Sequence, residues 1–391
     1  MSPEIVSARP AILLLVANSA RALAESAVRG GYRVHVLDGF CDCDTQALAP
    51  CTPIPLDERG LDAACLESAV ERLIGALPTA DGPVALVYGA GLESCPALLA
   101  RLQRHVAVLG NAPEVPARLG EPAALLRLLD ALGIAHPQTR LEPPPADGGA
   151  WLVKETGTCG GLGVRPWRPG DPRPVAPHYF QRRLAGEPMS VLFVADGRRH
   201  VAIGFNRLLI ADGGAERPYL YGGALGQAEP QAAVRQTLEA WCAALTERLG
   251  LRGINGIDFL LHQGRPWFLE LNARPPASLS LYESSCPEGW IDRHVRACRG
   301  ALPTPAAPAP GRVWGQRVVY APRDLDIPPD LCWPHDCRDL PAAGSRVSRG
   351  APLCTVLADA AEPAGVESRL AERAARVLRQ LDAVAPPGAL P

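Results

Sequence analysis

Asp258, Glu270 and Asn272 lie in two apolar runs that a short Gln263-Gly264-Arg265 turn folds back on each other. A three-residue hairpin loop centred on Gly264 sets Asp258 opposite Glu270. Directly opposed side chains share a face, with Cβ atoms about 4.5–5.5 Å apart. Asn272, two residues on, points the same way. Two carboxylates held that close repel unless a cation lies between them. Oxygen donors alone suit a hard ion such as magnesium, whose other positions go to water and phosphate. A solvated hairpin face with two acids is the plainer alternative, but it accounts neither for Asn272 nor for Arg274 beside it. The reading depends on register, because a one-residue slip turns Asp258 to the opposite face.

The second group is Trp151-Leu-Val-Lys154-Glu-Thr-Gly157-Thr-Cys-Gly160-Gly161-Leu-Gly163. The chain has 39 basic residues, and Lys154 is the single lysine among them. Arginine replaces lysine freely on a solvated surface but not where a compact ammonium must fit a pocket. Lys154 ends an apolar run and enters a glycine-rich loop at once. Glycines let backbone N–H groups approach phosphate oxygens, and the ammonium adds charge for the same anion. The lysine precedes the glycines, so this is not a Walker A loop.

These groups need elements to hold them. The first hundred residues alternate strand-like runs (Ala11–Ala17, Val34–Leu37, Val84–Tyr88, Val106–Leu109) with helix-like ones (Ala20–Val28, Leu61–Leu77, Pro96–Leu102). That rhythm predicts a Rossmann-like parallel sheet covered by helices. Leu125–Leu132 reads as a helix. From Trp151 to about Leu271 strands broken by glycine loops, with one helix at Ala232–Leu249, predict an α+β region. A Pro/Ala-rich linker, Leu302–Pro310, precedes a small β-rich tail with strands near Arg317–Tyr320 and Leu353–Leu357 and a helix at Val366–Leu381. The expected domains are 1–117, 118–301 and 311–391.

The two constellations, in this order and roughly a hundred residues apart, resemble the ATP-grasp superfamily. Leu132-Gly-Ile-Ala-His-Pro137 is similar to the step that opens many such domains, and Tyr179-Phe-Gln181-Arg182-Arg183-Leu184 to the family's hinge. The resemblance implies ATP and Mg²⁺ (or Mn²⁺) as cofactors, with Lys154, Gly160 and Gly161 at the phosphates. Gln181 and the backbone at Arg183 and Leu184 would hold adenine, and Glu187 the ribose. Asp258, Glu270 and Asn272 would hold the metal. Arg274, with Lys154, would neutralise the transferring phosphate. The implied activity joins a carboxylate and an amine through an acyl phosphate. The layout is similar to ATP-grasp proteins of bacterial one-carbon cofactor (methanopterin- and methylofuran-type) biosynthesis, which suggests glutamate or a tyrosine-derived amine as substrate. The family's second lysine is absent, leaving Arg118 or Arg127 as substitutes. A phosphotransferase and a non-catalytic nucleotide-binding regulator remain alternatives.

A net charge of −2 gives no footprint for nucleic acid or anionic membrane. No apolar run is long enough to span a bilayer, and the N-terminus lacks signal-peptide features. The expectation is a cytoplasmic protein with small-molecule partners; a homodimer is compatible. The 12 cysteines are scattered and read as reduced thiols. Ala17-Asn-Ser-Ala-Arg21 lacks the dinucleotide glycines, which argues against a nicotinamide-dependent reductase. Asp38, Asp42 and Asp44 read as substrate-facing or as loop acids, and Glu93 and Asn111 divide evenly between substrate contact and structure. Tyr221-Gly222-Gly223 reads as a flap over the phosphates or an ordinary loop. Arg207 is a carboxylate partner or a surface arginine; His262 and His294 are structural. The tail resembles half a barrel-sandwich, but without lysine it cannot carry biotin; a packing or substrate-covering role fits better.

Overall fold

The structure, a computed structural model, describes residues 9–57, 60–78, 82–145, 148–175, 177–304 and 311–384. Most of the Pro/Ala-rich linker lies outside them. The N-terminal region contains β1 (Ile12–Ala17), α1 (Arg21–Arg29), β2 (Arg33–Asp38), β3 (Cys51–Pro53), α2 (Ala63–Ala76), β4 (Val84–Tyr88), α3 (Pro96–Leu102) and β5 (Ala107–Val108). The strands form a parallel sheet in the order β3-β2-β1-β4-β5. β1 is buried along its whole length, as a central strand covered on both faces must be. Leu13 and Leu15 pack toward α1; Leu14 and Val16 pack toward α2 and α3. The strand order reverses between β1 and β4, so the loops after them part there.

Cys41 and Cys51 form a disulfide, with Cα atoms 6.1 Å apart. This corrects the expectation that every cysteine is a free thiol. The pair meets because β3 returns beside β2, and a three-residue strand leaves no periodic signal.

α4 (Glu114–Leu119) and α5 (Pro122–Ala131) lead into a small antiparallel sheet. Its strands are β6 (Thr139–Arg140), β7 (Trp151–Glu155), β8 (Val164–Trp167) and β9 (His178–Arg182), ordered β8-β7-β9-β6. Trp151, Val153, Trp167 and Phe180 pack on one face. Alternation puts Lys154, Tyr179 and Gln181 on the other, with Lys154 directly across from Tyr179.

The large sheet takes β10 (Glu187–Asp196), β11 (His200–Ile210), β12 (Tyr221–Leu225), β13 (Arg252–His262) and β14 (Arg265–Asn272). It continues with β15 (Val313–Tyr320), β16 (Cys337–Arg338) and β17 (Pro352–Ala360). The order is β14-β13-β10-β11-β12-β15-β17-β16. Helices α6 (Ala232–Leu249) and, after α7 (Trp290–Cys298), α8 (Pro363–Val384) cover one face, over Met189, Val191, Phe193 and Phe259 and over Val319 and Val356. The opposite face carries Ser190, Asn206 and Asp258. α7 packs on the N-terminal sheet through Ile291 and Val295.

Two features differ from the sequence expectation. Tyr221–Leu225 is an internal strand, not a loop, and it pairs with β15 (Ala224 with Gln316). Through that pairing the tail strands β15, β17 and β16 extend the large sheet. No helix among the described residues is long and apolar enough to cross a membrane.

Candidate active site

The β13–β14 hairpin turns on two residues, Gln263 (φ 50°) and Gly264 (φ 73°), with His262 paired to Arg265. Positive φ at both positions marks a type I′ turn, one residue shorter than expected. A bulge at Leu269 then shifts the ladder: Phe259 pairs with Phe268, but Asp258 pairs with Glu270. The expected opposition of the two acids therefore holds, reached by a two-residue turn plus a bulge. Asn272 donates through Nδ2 to Asp258 Oδ2 at 3.1 Å, which leaves its amide oxygen for another partner.

Burial pushes the Asp258 carboxyl well above the usual range, and Glu270 opposite pushes it further. Glu270 is raised too, first by burial; Arg274 and Lys154 pull it back. Its side chain is nonetheless open to solvent. Burial holds the Lys154 ammonium down, and Glu270 and Asp258 offset that. Lys154 Nζ lies 6.0 Å from the Tyr179 ring centroid. Arg274, 8% exposed, donates from Nε to Glu93 Oε1 at 2.8 Å. Glu93 Oε2 accepts from the Gly91 amide at 2.6 Å. Burial opposes the Arg274 charge, but Glu93 and the neighbouring negative groups together outweigh it and the guanidinium is held firmly protonated. Two acids that resist ionising together, plus one amide oxygen, are a donor set that fits a hard divalent cation.

The glycine loop lies against β12 and its approach. Gly157, Gly160 and Gly161 have φ of 77°, 62° and 77°. A Cβ on Gly161 would fall 1.9 Å from the Tyr219 carbonyl oxygen, so only glycine fits there. The Tyr221 amide donates to the Gly160 carbonyl at 2.9 Å.

The hinge residues meet the expectation unevenly. Gln181 is 5% exposed, shares the Lys154 face, and donates to Thr139 Oγ1 at 3.3 Å. The Arg183 amide is taken by the Ala150 carbonyl at 2.9 Å, whereas the Leu184 amide makes no bond among the described residues. Glu187 opens β10. It has the same strand parity as Met189 and Val191, which pack under α6, and it approaches Arg207 at 3.8 Å. Alternation turns it away from the Asp258 face. Arg207 also pairs with Glu367 of α8 and is not held for a substrate. Arg127 is exposed and pairs with Glu121 at 3.5 Å.

Other side chains prove structural. Asn111 donates to Asn255 Oδ1 and the Ala273 carbonyl, each at 2.8 Å, and accepts from the Arg252 amide at 2.9 Å. It bolts the N-terminal region to the strands carrying the acids. Asp38 accepts from the amides of Ala20, Phe40 and Cys41. Asp44 accepts from those of Asp339 and Leu340, docking the tail. His262 bonds the Ala185 carbonyl.

Comparison with known proteins agrees with this geometry. A family described as "ATP-grasp domain" matches residues 123–278. The chain carries an ATP-grasp domain. The matched span holds Lys154, the glycine loop, the hinge and the acid pair. No curated protein matches the sequence. Among solved structures, pyruvate carboxylase from Rhizobium etli superposes with a TM-score of 0.70 at 16% identity, over 93% of this chain but 37% of that one. Phosphoribosylamine–glycine ligase from Thermotoga maritima gives 0.63 at 17%, covering 93% of this chain and 96% of that one. N5-carboxyaminoimidazole synthetase from Staphylococcus aureus, complexed with ADP, gives 0.68 at 13%, covering 94% and 98%. At such identities the likeness is one of fold. The ATP-grasp fold here brings to the cleft the Tyr221 hydroxyl, from the stretch read as a flap or a loop, and, from the tail, Gln316, which sequence reasoning left out. Gln316 sits in an ordinary strand pattern and carries no signal of its own.

Proposed function

We propose that the chain is an ATP- and magnesium-dependent ligase that joins a carboxylate to an amine through an acyl phosphate. The observation that carries this is the convergence on one cleft of the Asp258–Glu270 pair, Asn272, Lys154 and Arg274. Asp258, Glu270 and Asn272 would hold magnesium, which when bound supplies charge neutralisation for the phosphates. Lys154 and the Gly160-Gly161 amides bind the phosphates of ATP, and Gln181 and the Leu184 amide border the adenine. Arg274, pinned by Glu93, faces the γ-phosphate as the substrate carboxylate attacks it and ADP leaves. Phosphoryl transfer asks mainly for positioning and neutralisation, and these residues supply both. The amine then displaces phosphate, forming an amide-type bond.

The finer reading, a glutamate or tyrosine-derived amine of one-carbon cofactor biosynthesis, rests on the resemblance in layout. Cytoplasmic residence, a homodimer and division at residues 117 and 301 belong to the same proposal. The test is ADP production with magnesium and a panel of carboxylic acids and amines, for the wild type, Lys154→Ala, Lys154→Arg and Glu270→Ala. Turnover with one acid–amine pair, lost in all three variants, is expected. Loss in Lys154→Arg is the sharpest part, since the chain uses arginine everywhere else. Acid-dependent ADP release that needs no amine points instead to a phosphotransferase. Nucleotide binding without turnover points to a regulator, and variants that turn over normally refute the site.

A further inference from the structure

The C-terminal strand β15 reaches the active-site cleft through one side chain. Gln316 is 5% exposed and pairs across to Ala224, on the cleft face of the large sheet. Its Nε2 lies 3.3 Å from the Ala277 carbonyl and 3.2 Å from the Tyr221 hydroxyl. Its Oε1 accepts from Ser280 Oγ at 2.6 Å. A backbone carbonyl can only accept, so Ala277 settles which end of the Gln316 amide faces it: the NH₂ end. The same NH₂ then donates to the Tyr221 oxygen. Tyr221 must accept there, and its own O–H is left to point elsewhere. Among the described residues nothing accepts that proton.

The rest of Tyr221 is equally constrained. Its amide donates to the Gly160 carbonyl of the phosphate loop at 2.9 Å, and its carbonyl accepts from the Tyr320 hydroxyl, also on β15, at 2.8 Å. Asp258 and Arg274 both act electrostatically on the phenol, and burial keeps it protonated. A neutral O–H donor, oriented from behind and without an internal acceptor, stands on the wall of the cleft that holds the acids and Arg274.

We propose that the Tyr221 hydroxyl donates a hydrogen bond to the transferring phosphoryl group, and that Gln316 is the positioning residue that turns the hydroxyl toward it. Tyr221 keeps its proton throughout; the contribution is a fixed dipole aimed at oxygen that gains charge. The proposal rests on the reading of the cleft as an ATP site, and it gives the tail a role at that site: β15 aims Tyr221 while holding its backbone against the phosphate loop.

The test uses the full chain, with MgADP and aluminium fluoride standing in for the transferring group, read by titration calorimetry. Wild type should bind MgADP and tighten when fluoroaluminate is added. Tyr221→Phe keeps both backbone bonds, so it should bind MgADP as wild type does but lose about tenfold of the fluoroaluminate gain. Gln316→Glu offers only acceptors, so Tyr221 would donate back to it; the same loss is expected although the hydroxyl is intact. The double variant should lose no more than either single one. Tyr221→Phe with the full gain overturns the proposal, as does a wild type that gains nothing from fluoroaluminate. A Gln316→Glu variant with the full gain overturns the positioning role. If MgADP binds to wild type but not to Lys154→Ala while Tyr221→Phe is normal, this proposal fails alone. If wild type does not bind MgADP, the ATP reading falls and takes this one with it.

Discussion

His294 makes the seam between the N-terminal sheet and β13 sensitive to acid. Its ring is 1% exposed. Nδ1 accepts from the Ile254 amide at 2.9 Å, and Nε2 donates to the Leu109 carbonyl at 3.0 Å. Ile254 belongs to β13, four residues before Asp258. Protonating Nδ1 would turn that acceptor into a donor facing another donor inside a buried site. Burial accordingly holds the imidazole down, to about 4, against about 6.5 in an unfolded chain. The unfolded state therefore binds the proton more readily between those values. Stability from this group is complete above pH 6.5 and is lost as pH falls toward 4. At about 1.4 kcal/mol per unit the full loss is about 3 kcal/mol, and about 2 kcal/mol of it is spent by pH 5. Urea unfolding of wild type and His294→Gln at pH 7.5 and pH 5 isolates the effect. Glutamine can both accept and donate but does not titrate here, so its stability should fall less than that of wild type, by about 2 kcal/mol. Equal pH dependence in the two proteins would refute a neutral, buried imidazole.

Two further outcomes follow from the same contacts. Asp258→Asn removes one of two charges that burial and proximity disfavour, so the ligand-free protein at pH 8 should gain about 1–2 kcal/mol in a denaturant melt. The same variant should lose the magnesium-dependent part of its stabilisation by ATP; a less stable variant that keeps the magnesium effect contradicts the metal assignment. Asn111→Ala removes three buried hydrogen bonds and should cost about 3 kcal/mol in urea unfolding. A loss within experimental scatter would mean the N-terminal region is not bolted there.

Much of the fold was legible because its long elements repeat their patterns. The apolar run of β1, the span of α6 at Ala232–Leu249 and the strand Val84–Tyr88 stand in the structure as their periodicity predicts. The short ones were not. β3 has three residues, too few to show a period, and its partner Cys41 lies in a loop. The bulge at Leu269 leaves no mark on composition, and the register of the acids was still reached because the shorter turn and the bulge offset each other. Glu187, placed by resemblance to a hinge, depends on register in the same way: strand parity decides which face it takes, and one residue of slip reverses that.

What separates the legible part of the site from the rest is the sequence distance between its members. Asp258, Glu270 and Asn272 belong to one hairpin, so alternation alone relates them. Lys154 was visible by composition, as the exception among arginines. Glu93 and Asn111 come from turns and loops of the N-terminal region, and Gln316 from a distant strand. Each acts by holding something else: Glu93 pins Arg274, Gln316 turns Tyr221, and Asn111 bolts the strand carrying Asp258. Residues of that kind have no motif, because their partner is set by how the sheets pack and not by neighbours along the chain. The same locality explains the tail. Read alone, its strands suggest half of a separate small barrel. Pairing with β12 makes them part of the large sheet, and a glutamine that looks like any strand residue becomes a support for the wall of the cleft.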